Sequence, residues 1–169
     1  MGIGRTYQTV RPFLGFTALE NVVVGILYGK GEENLTKSVA GEKGVELLEF
    51  VGLRGKENVL TKNLNLVERK RVELARALAG RPTLILLDEL LSGLNPGELE
   101  SSMLLIRTMR DDLGITVMWI EHIMKALMGV CERVIVLHYG RKIAEGTPKE
   151  ITSNVDVNEV YLGGRRRVI

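Results

Sequence analysis

Two carboxylates close an apolar run in Leu84-Ile85-Leu86-Leu87-Asp88-Glu89. Four consecutive aliphatic residues, short and bounded, suit a strand buried on both faces, as in a parallel sheet. In open α/β sheets ligands bind at the carboxyl ends of the strands, so acids at that end stand where chemistry is done. Asp88 is placed to hold a magnesium ion, usually through a water. Glu89 is placed to orient and polarise an attacking water. Phosphoryl transfer asks a protein for these two roles more than for covalent chemistry. Taken alone, the segment reads equally well as a polar loop after a strand. A second apolar run, Thr116 to Ile120, ends in Glu121-His122 and brings a histidine to the same edge of the sheet. An imidazole there is able to contact a γ-phosphate and the attacking water. A lone histidine is usually structural, but two parallel strands that both end in polar groups favour the functional reading. His138 has no such setting and takes no role.

Two further segments are chemically suggestive only in context. Ser92-Gly93-Leu94-Asn95-Pro96 is a tight turn into a helix. Glycine allows φ > 0 at position 93, and proline suits the first helical position. At minimum this is a connection. Asn63 to Arg71 leads directly into a helix at Val67, whose N-terminus offers unpaired backbone N–H groups to an anion. Its plainer reading is a capped amphipathic helix with a solvated basic face.

The elements that must position these residues follow from periodicity and caps. Thr17-Ala18-Leu19-Glu20 is a capping-box pattern that predicts a helix through about Leu27. Tyr28 to Gly44, rich in Gly, Lys and Glu, predicts a loop or mobile surface segment. A short apolar helix follows from Val45 to Val51 and stops near Gly52. From Val67 to Ala79, Val67, Leu74, Ala75 and Leu78 share one stripe, with Arg69, Lys70 and Glu73 off it. Gly80 and Pro82 end that helix. Pro96 starts another, with Glu98 and Glu100 in its first turn, where the helix dipole favours acids. Leu99, Met103, Ile106 and Leu113 mark its buried face. Thr116 to Ile120 predicts a second buried strand, and a helix then runs to about Val130. Val134 to Leu137 and Lys142 to Ala144 flank Tyr139-Gly140-Arg141 as a hairpin, an antiparallel edge to the sheet. The alternation of strand and helix in the second half predicts an α/β fold with parallel pairing.

Composition narrows the setting. The 169 residues suit one domain, and 45% hydrophobic with 26% charged is ordinary for a globular protein. The net charge of +2 points to no particular partner. Arg165-Arg166-Arg167 reads as a solvated terminus rather than a nucleic-acid patch, since no aromatic platform lies near it. The single cysteine, Cys131, forms no intrachain disulfide, fits a reducing compartment and reads as a core residue. No apolar stretch approaches the roughly 18–20 residues that span a bilayer. Met1 to Arg11 shows no signal-peptide core.

Taken in order, these segments resemble the ATP-binding-cassette (ABC) ATPases, from just before their Q-loop to the C-terminus. Arg5-Thr6-Tyr7-Gln8 is similar to the Q-loop, and Leu64-Asn65-Leu66-Val67-Glu68 sits at the signature motif. Asp88-Glu89 resembles the Walker B aspartate and catalytic glutamate, Ser92-Gly93-Leu94-Asn95 the D-loop, and His122 the switch histidine. Leu19-Glu20-Asn21-Val22, Gly93 to Pro96, Ile120-Glu121-His122, Glu145 to Pro148 and Val160-Tyr161-Leu162-Gly163 narrow the resemblance to the branched-chain amino-acid importer subgroup.

The resemblance implies a P-loop-type core, mostly parallel, with a helical subdomain over about 9–80, a hydrolysis region over 81–150 and a family tail over 151–169. It implies ATP and magnesium as cofactors, with Gln8 contacting magnesium and the attacking water beside Asp88, Glu89 and His122. Asn65, Leu66, Val67 and Glu68 would face the ATP of a partner subunit, alongside Gly93 and Asn95. Its implied partners are membrane permease subunits and a second ABC ATPase, in a homo- or heterodimer, with no nucleic acid and no direct membrane insertion. The implied location is cytoplasmic, peripheral on the inner face of the cell membrane. The segment from Thr9 to Tyr28 would meet the permease, so Phe13, Phe16 and Leu19 are either interface or core.

The departures are specific. Asn65, Leu66 and Val67 stand where the family carries a serine and two glycines, and Leu90 replaces the proline after the catalytic glutamate. No Gly-x-x-x-x-Gly-Lys-Ser/Thr occurs in the 169 residues. Without that loop, phosphates lack their backbone cradle and lysine, and magnesium lacks a hydroxyl. The expectation is therefore an N-terminally truncated ATPase subunit, inactive alone, with strand edges exposed. The alternative is a non-catalytic remnant or regulatory half that pairs with an intact ATPase.

Overall fold

The computed structural model describes residues 2–29 and 35–161. The chain divides into two compact units, Met1–Glu121 and His122–Ile169.

The first unit is built on a parallel sheet of order β1-β2-β3: Ile3–Arg5, Leu84–Asp88 and Thr116–Ile120. Gly4 stands opposite Ile85, and Ile85 opposite Val117. Parallel strands need a crossover, and helix α4 (Pro96–Asp111) supplies it between β2 and β3. The α/β class and the parallel pairing are as predicted. The two strands are less buried than predicted, however. In β2, Ile85 and Leu87 are buried while Leu84 and Leu86 are half-buried. Met118 and Ile120 of β3 are exposed. Among the described residues that strand is the last of the three, and Met118 and Ile120 lie on one face of it.

Helix α1 (Ala18–Tyr28) starts at the predicted capping box, where Thr17 and Glu20 bond reciprocally. Helix α2 (Lys37–Phe50) corrects the sequence reading. It begins at a Thr36 cap, well before Val45, inside the stretch predicted as a loop. Its buried residues Ala40, Gly44 and Leu48 recur every four residues, a stripe too narrow and too small to stand out among charges. Gly44 permits the approach to α1, for a Cβ there would lie 2.6 Å from Leu19 Cδ1. Residues 30–34 lie outside the described part.

Helix α3 (Leu66–Ala79) packs on α1 at Gly25, where a Cβ would come within 2.8 Å of Arg76 O. Leu74, Ala75 and Leu78 are buried as read, with Val67 half-buried. Lys70 and Glu73 are buried too, against expectation. In α4 the buried residues are Ser102, Ile106 and Met109, with Leu99 and Met103 half-buried. Leu113 is exposed because the helix ends at Asp111, leaving it off the stripe.

In the second unit, α5 (Met124–Val130) precedes a hairpin of β4 (Val134–His138) and β5 (Arg141–Gly146). Tyr139 and Gly140 both have positive φ (45° and 75°), the requirement of a two-residue hairpin turn. The hairpin forms a separate two-stranded sheet, so it does not add the predicted edge to the parallel one. Helices α6 (Pro148–Ser153) and α7 (Val155–Tyr161) complete the unit. Val134, Val136, Ile151 and Val157 form its core, and Cys131 packs partly buried against them. Leu162-Gly163 and Arg165 to Arg167 lie outside the described residues. Among the described residues no helix is long and apolar enough to cross a membrane.

Candidate active site

The carboxyl end of β2 brings together Gln8, Asp88 and Glu89. Thr6 continues β1 by donating its N–H to Leu86 O at 3.0 Å, and the Asp88 N–H reaches Thr6 Oγ1 at 3.4 Å. This short extension delivers Gln8, whose Nε2 donates to Glu89 Oε2 at 2.9 Å. Two side chains 81 positions apart thus meet beside Asp88. Glu89 N donates to Ile120 O at 2.9 Å, which carries the ladder one step past the strand, and the residue then turns with φ 46°. A left-handed non-glycine residue is uncommon and costs roughly 1–2 kcal/mol. It re-aims the chain immediately after the acid.

The turn that follows is pinned from several sides. The Glu121 carboxylate accepts the Leu91 N–H at 2.8 Å. Gly93 has φ 79°, and Asn95 caps α4 through a reciprocal bond with Glu98. Asn65 does the same for α3. Its Oδ1 accepts the Glu68 N–H at 2.9 Å, and Glu68 Oε2 accepts the Asn65 N–H. The cap therefore occupies one of the helix-terminal N–H groups that an anion would use. Leu66, at the first helical position, is 54% exposed, and Val67 is half-buried behind it. His122 is exposed and opens the second unit.

Two site residues were illegible in the sequence. Lys70 is only 6% exposed, and its Nζ donates to three carbonyls, Glu89 O (3.2 Å), Leu90 O (3.1 Å) and Ser92 O (2.7 Å). Burial lowers its ammonium below the usual range, opposed by the charges of Glu121, Glu89 and Glu73. Glu73, 2% exposed, faces the Gln8 loop, and its Oε1 accepts the Arg11 N–H at 3.4 Å. Burial raises its carboxyl above the usual range, opposed by the Arg11 and Tyr7 N–H groups, then by Arg76 and Lys70. A carboxyl whose folded value is raised loses stabilisation as pH climbs from its unfolded value through the folded one. We expect Glu73→Gln, which keeps the acceptor, to flatten the decline in unfolding free energy across that window. Urea melts at a series of pH values check it.

Asp88 and the Gln8 amide oxygen are hard oxygen donors of the kind magnesium takes. One carboxylate beside one amide is a partial set, as suits an ion that keeps waters and arrives with phosphate oxygens. Among the described residues no group of three or more His, Cys, Asp or Glu is built to hold a metal without such help.

Further along, Phe13 and Phe16 are exposed with ring centroids 5.4 Å apart, and Arg76 lies over Phe13. Arg5 and Arg11 lie over the exposed Tyr7. Leu19 is half-buried between α1 and α2, so of the three apolar candidates it is the packed one. A separate groove of about 300 Å³, lined by Ile26, Leu47, Phe50 and Leu78 among others, includes none of Gln8, Asp88 or Glu89.

This fold is that of the ATP-binding cassettes. The chain aligns with the dimeric post-hydrolysis structure of the cassette MJ0796 bound to ADP and Pi (TM-score 0.80, 27% identity, 87% of this chain and 63% of that one). It also aligns with the ADP conformation of the cassette MJ1267 (TM-score 0.78, 30% identity, 96% and 68%). Over 96% of its length it is 36% identical to the high-affinity branched-chain amino acid transport ATP-binding protein LivG of Salmonella typhimurium. It is 34% identical to the corresponding protein BraF of Pseudomonas aeruginosa. Residues 141–166 match the model of the branched-chain amino acid ATP-binding cassette transporter family. The chain belongs to the ATP-binding subunits of ABC transporters, in the branched-chain amino acid group. It spans about two thirds of these relatives, 68% of LivG and of BraF.

Proposed function

We propose that this chain supplies the hydrolysis half of a nucleotide site in an importer of branched-chain amino acids or related small amides. The observation that carries the reading is the Gln8–Glu89 hydrogen bond at the carboxyl end of β2, beside Asp88. In this reading Glu89 orients the attacking water and takes part of its developing positive charge. Gln8 holds the Glu89 carboxylate in place, and its amide oxygen together with Asp88 would hold magnesium. Magnesium-ATP, when bound, supplies the electrophilic phosphorus and neutralises the leaving charge. His122 contacts the γ-phosphate, and Gly93 and Asn95 face a second cassette. Phe13, Phe16 and Tyr7 meet a permease subunit at the inner face of the membrane.

No phosphate-binding loop occurs in these 169 residues, so a polypeptide of this sequence has no row of backbone N–H groups and no lysine for the β- and γ-phosphates. We expect it to bind magnesium-ATP no more tightly than millimolar and to release no phosphate above background. Isothermal titration and a phosphate-release assay check this, and micromolar affinity would overturn it. Joined behind an ABC-class strand carrying Gly-x-x-x-x-Gly-Lys-Ser/Thr, the same residues are expected to turn ATP over.

A second reading is favoured by Asn65-Leu66-Val67. The exposed Leu66 side chain projects where the family places small residues, and Asn65 is committed to its cap. In that reading the chain is a non-catalytic half that pairs with an intact ATPase. Stable association with such a partner, without turnover from the joined cassette, would select it.

A further inference from the structure

We propose that Lys70 is a positioning residue. From helix α3 it holds the main-chain turn that carries Glu89 and leads to Ser92, and so ties that turn to the helix that begins at the signature position. The ammonium has three N–H donors and no acceptor, and three carbonyl oxygens of one turn converge on it within 3.2 Å. Glu89 O also accepts the Ser92 N–H, at 3.3 Å. An exposed lysine would be hydrated and mobile. This one is buried, so its contacts are made in place of water, and removing it strands the buried Leu90 carbonyl and loosens the part-buried carbonyls of Glu89 and Ser92. The turn it holds contains the left-handed Glu89, a conformation that persists only where its surroundings over-determine it.

Helix α3 applies the same device a second time with the opposite charge. Residues three apart share a helix face. Three positions on, Glu73 accepts the Arg11 N–H, in the loop that follows Gln8, just as Lys70 donates to main-chain carbonyls of the Glu89 turn. The two loops then meet through Gln8 and Glu89. One helix thus sets the height of both partners in that hydrogen bond. The relevance of this to turnover rests on the role proposed for Glu89, whereas the tie itself does not.

Amide hydrogen exchange on the 169-residue chain tests the tie without nucleotide. The reporters are the hydrogen-bonded amides of Leu91, Ser92 and Leu94. K70M is expected to speed their exchange at least tenfold while leaving the amides of Leu74 to Ala79 within threefold. K70R, which keeps charged donors, is expected to bring the turn back to within threefold of the parent. E73Q is the control and is expected to leave the turn unchanged. Unchanged exchange at the turn in K70M overturns the proposal, as does a uniform rise across α3 and the sheet. Should K70M not fold, K70Q is read in its place, with a rise of at least threefold at the turn expected. Failure of both neutral variants to fold while K70R folds would make Lys70 a determinant of global stability and overturn the local role.

Discussion

Glu89→Gln is expected to lower the turnover of the joined cassette by about 100-fold or more, with little change in KM. Positioned general acid–base groups contribute roughly 10²–10⁴ in rate. Glutamine preserves the shape of the side chain and its packing at the end of β2. It removes the negative charge that the proposed role uses to polarise water, and its amide nitrogen presents donors where the carboxylate presented acceptors. The bond from Gln8 Nε2 is made to an acceptor that glutamine keeps on one side only, so the geometry survives in one amide orientation. Ground-state binding is left to groups that the substitution does not touch, which is why the loss falls on kcat. Steady-state phosphate release on the two proteins checks it. A loss confined to KM would place Glu89 in substrate binding instead.

Asn21→Ala is expected to lower the unfolding free energy of the chain by about 3 kcal/mol. Asn21 is fully buried (0% exposed) at the start of α1 and uses every polar atom of its amide. Its Oδ1 accepts the Phe13 N–H at 2.8 Å. The two hydrogens of its Nδ2 are shared among three acceptors at 2.9–3.0 Å, Phe13 O, Thr17 O and Thr61 Oγ1. The two carbonyls keep other partners, for Phe16 N also reaches Phe13 O and Asn21 N reaches Thr17 O. Truncation therefore orphans chiefly the Phe13 N–H and the Thr61 hydroxyl, each at roughly 1–3 kcal/mol. Equilibrium urea unfolding measures the change. A loss below about 0.5 kcal/mol, ordinary for a surface site, would show that this network does not hold the Phe13 segment to α1.

The placement of acids at the end of β2 was legible because it depends on residue types in sequence order. An apolar run ending in Asp88-Glu89 needs no partner to be noticed, and the capping boxes at Thr17 and Asn95 are local. Lys70 and Glu73 were hidden by the rule that found α3. A helical stripe assigns charged residues to solvent, and what these two meet is main chain, the carbonyls of residues 89, 90 and 92 and the Arg11 N–H. Main-chain partners leave no trace in side-chain periodicity. The first two turns of α2 were missed for a related reason. Gly41 and Gly44 read as breakers, although Gly44 serves a close contact with Leu19. The exposure of Met118 and Ile120 was illegible too, because an apolar run does not say which of its two faces is covered.

The measurement that bears most directly on the account is phosphate release by this chain in two forms, alone and joined behind a segment bearing the phosphate-binding loop. Background rates are expected from the 169 residues alone, and turnover that Glu89→Gln abolishes from the joined form. Turnover by the chain alone, or turnover by the joined form that survives Glu89→Gln, would contradict it.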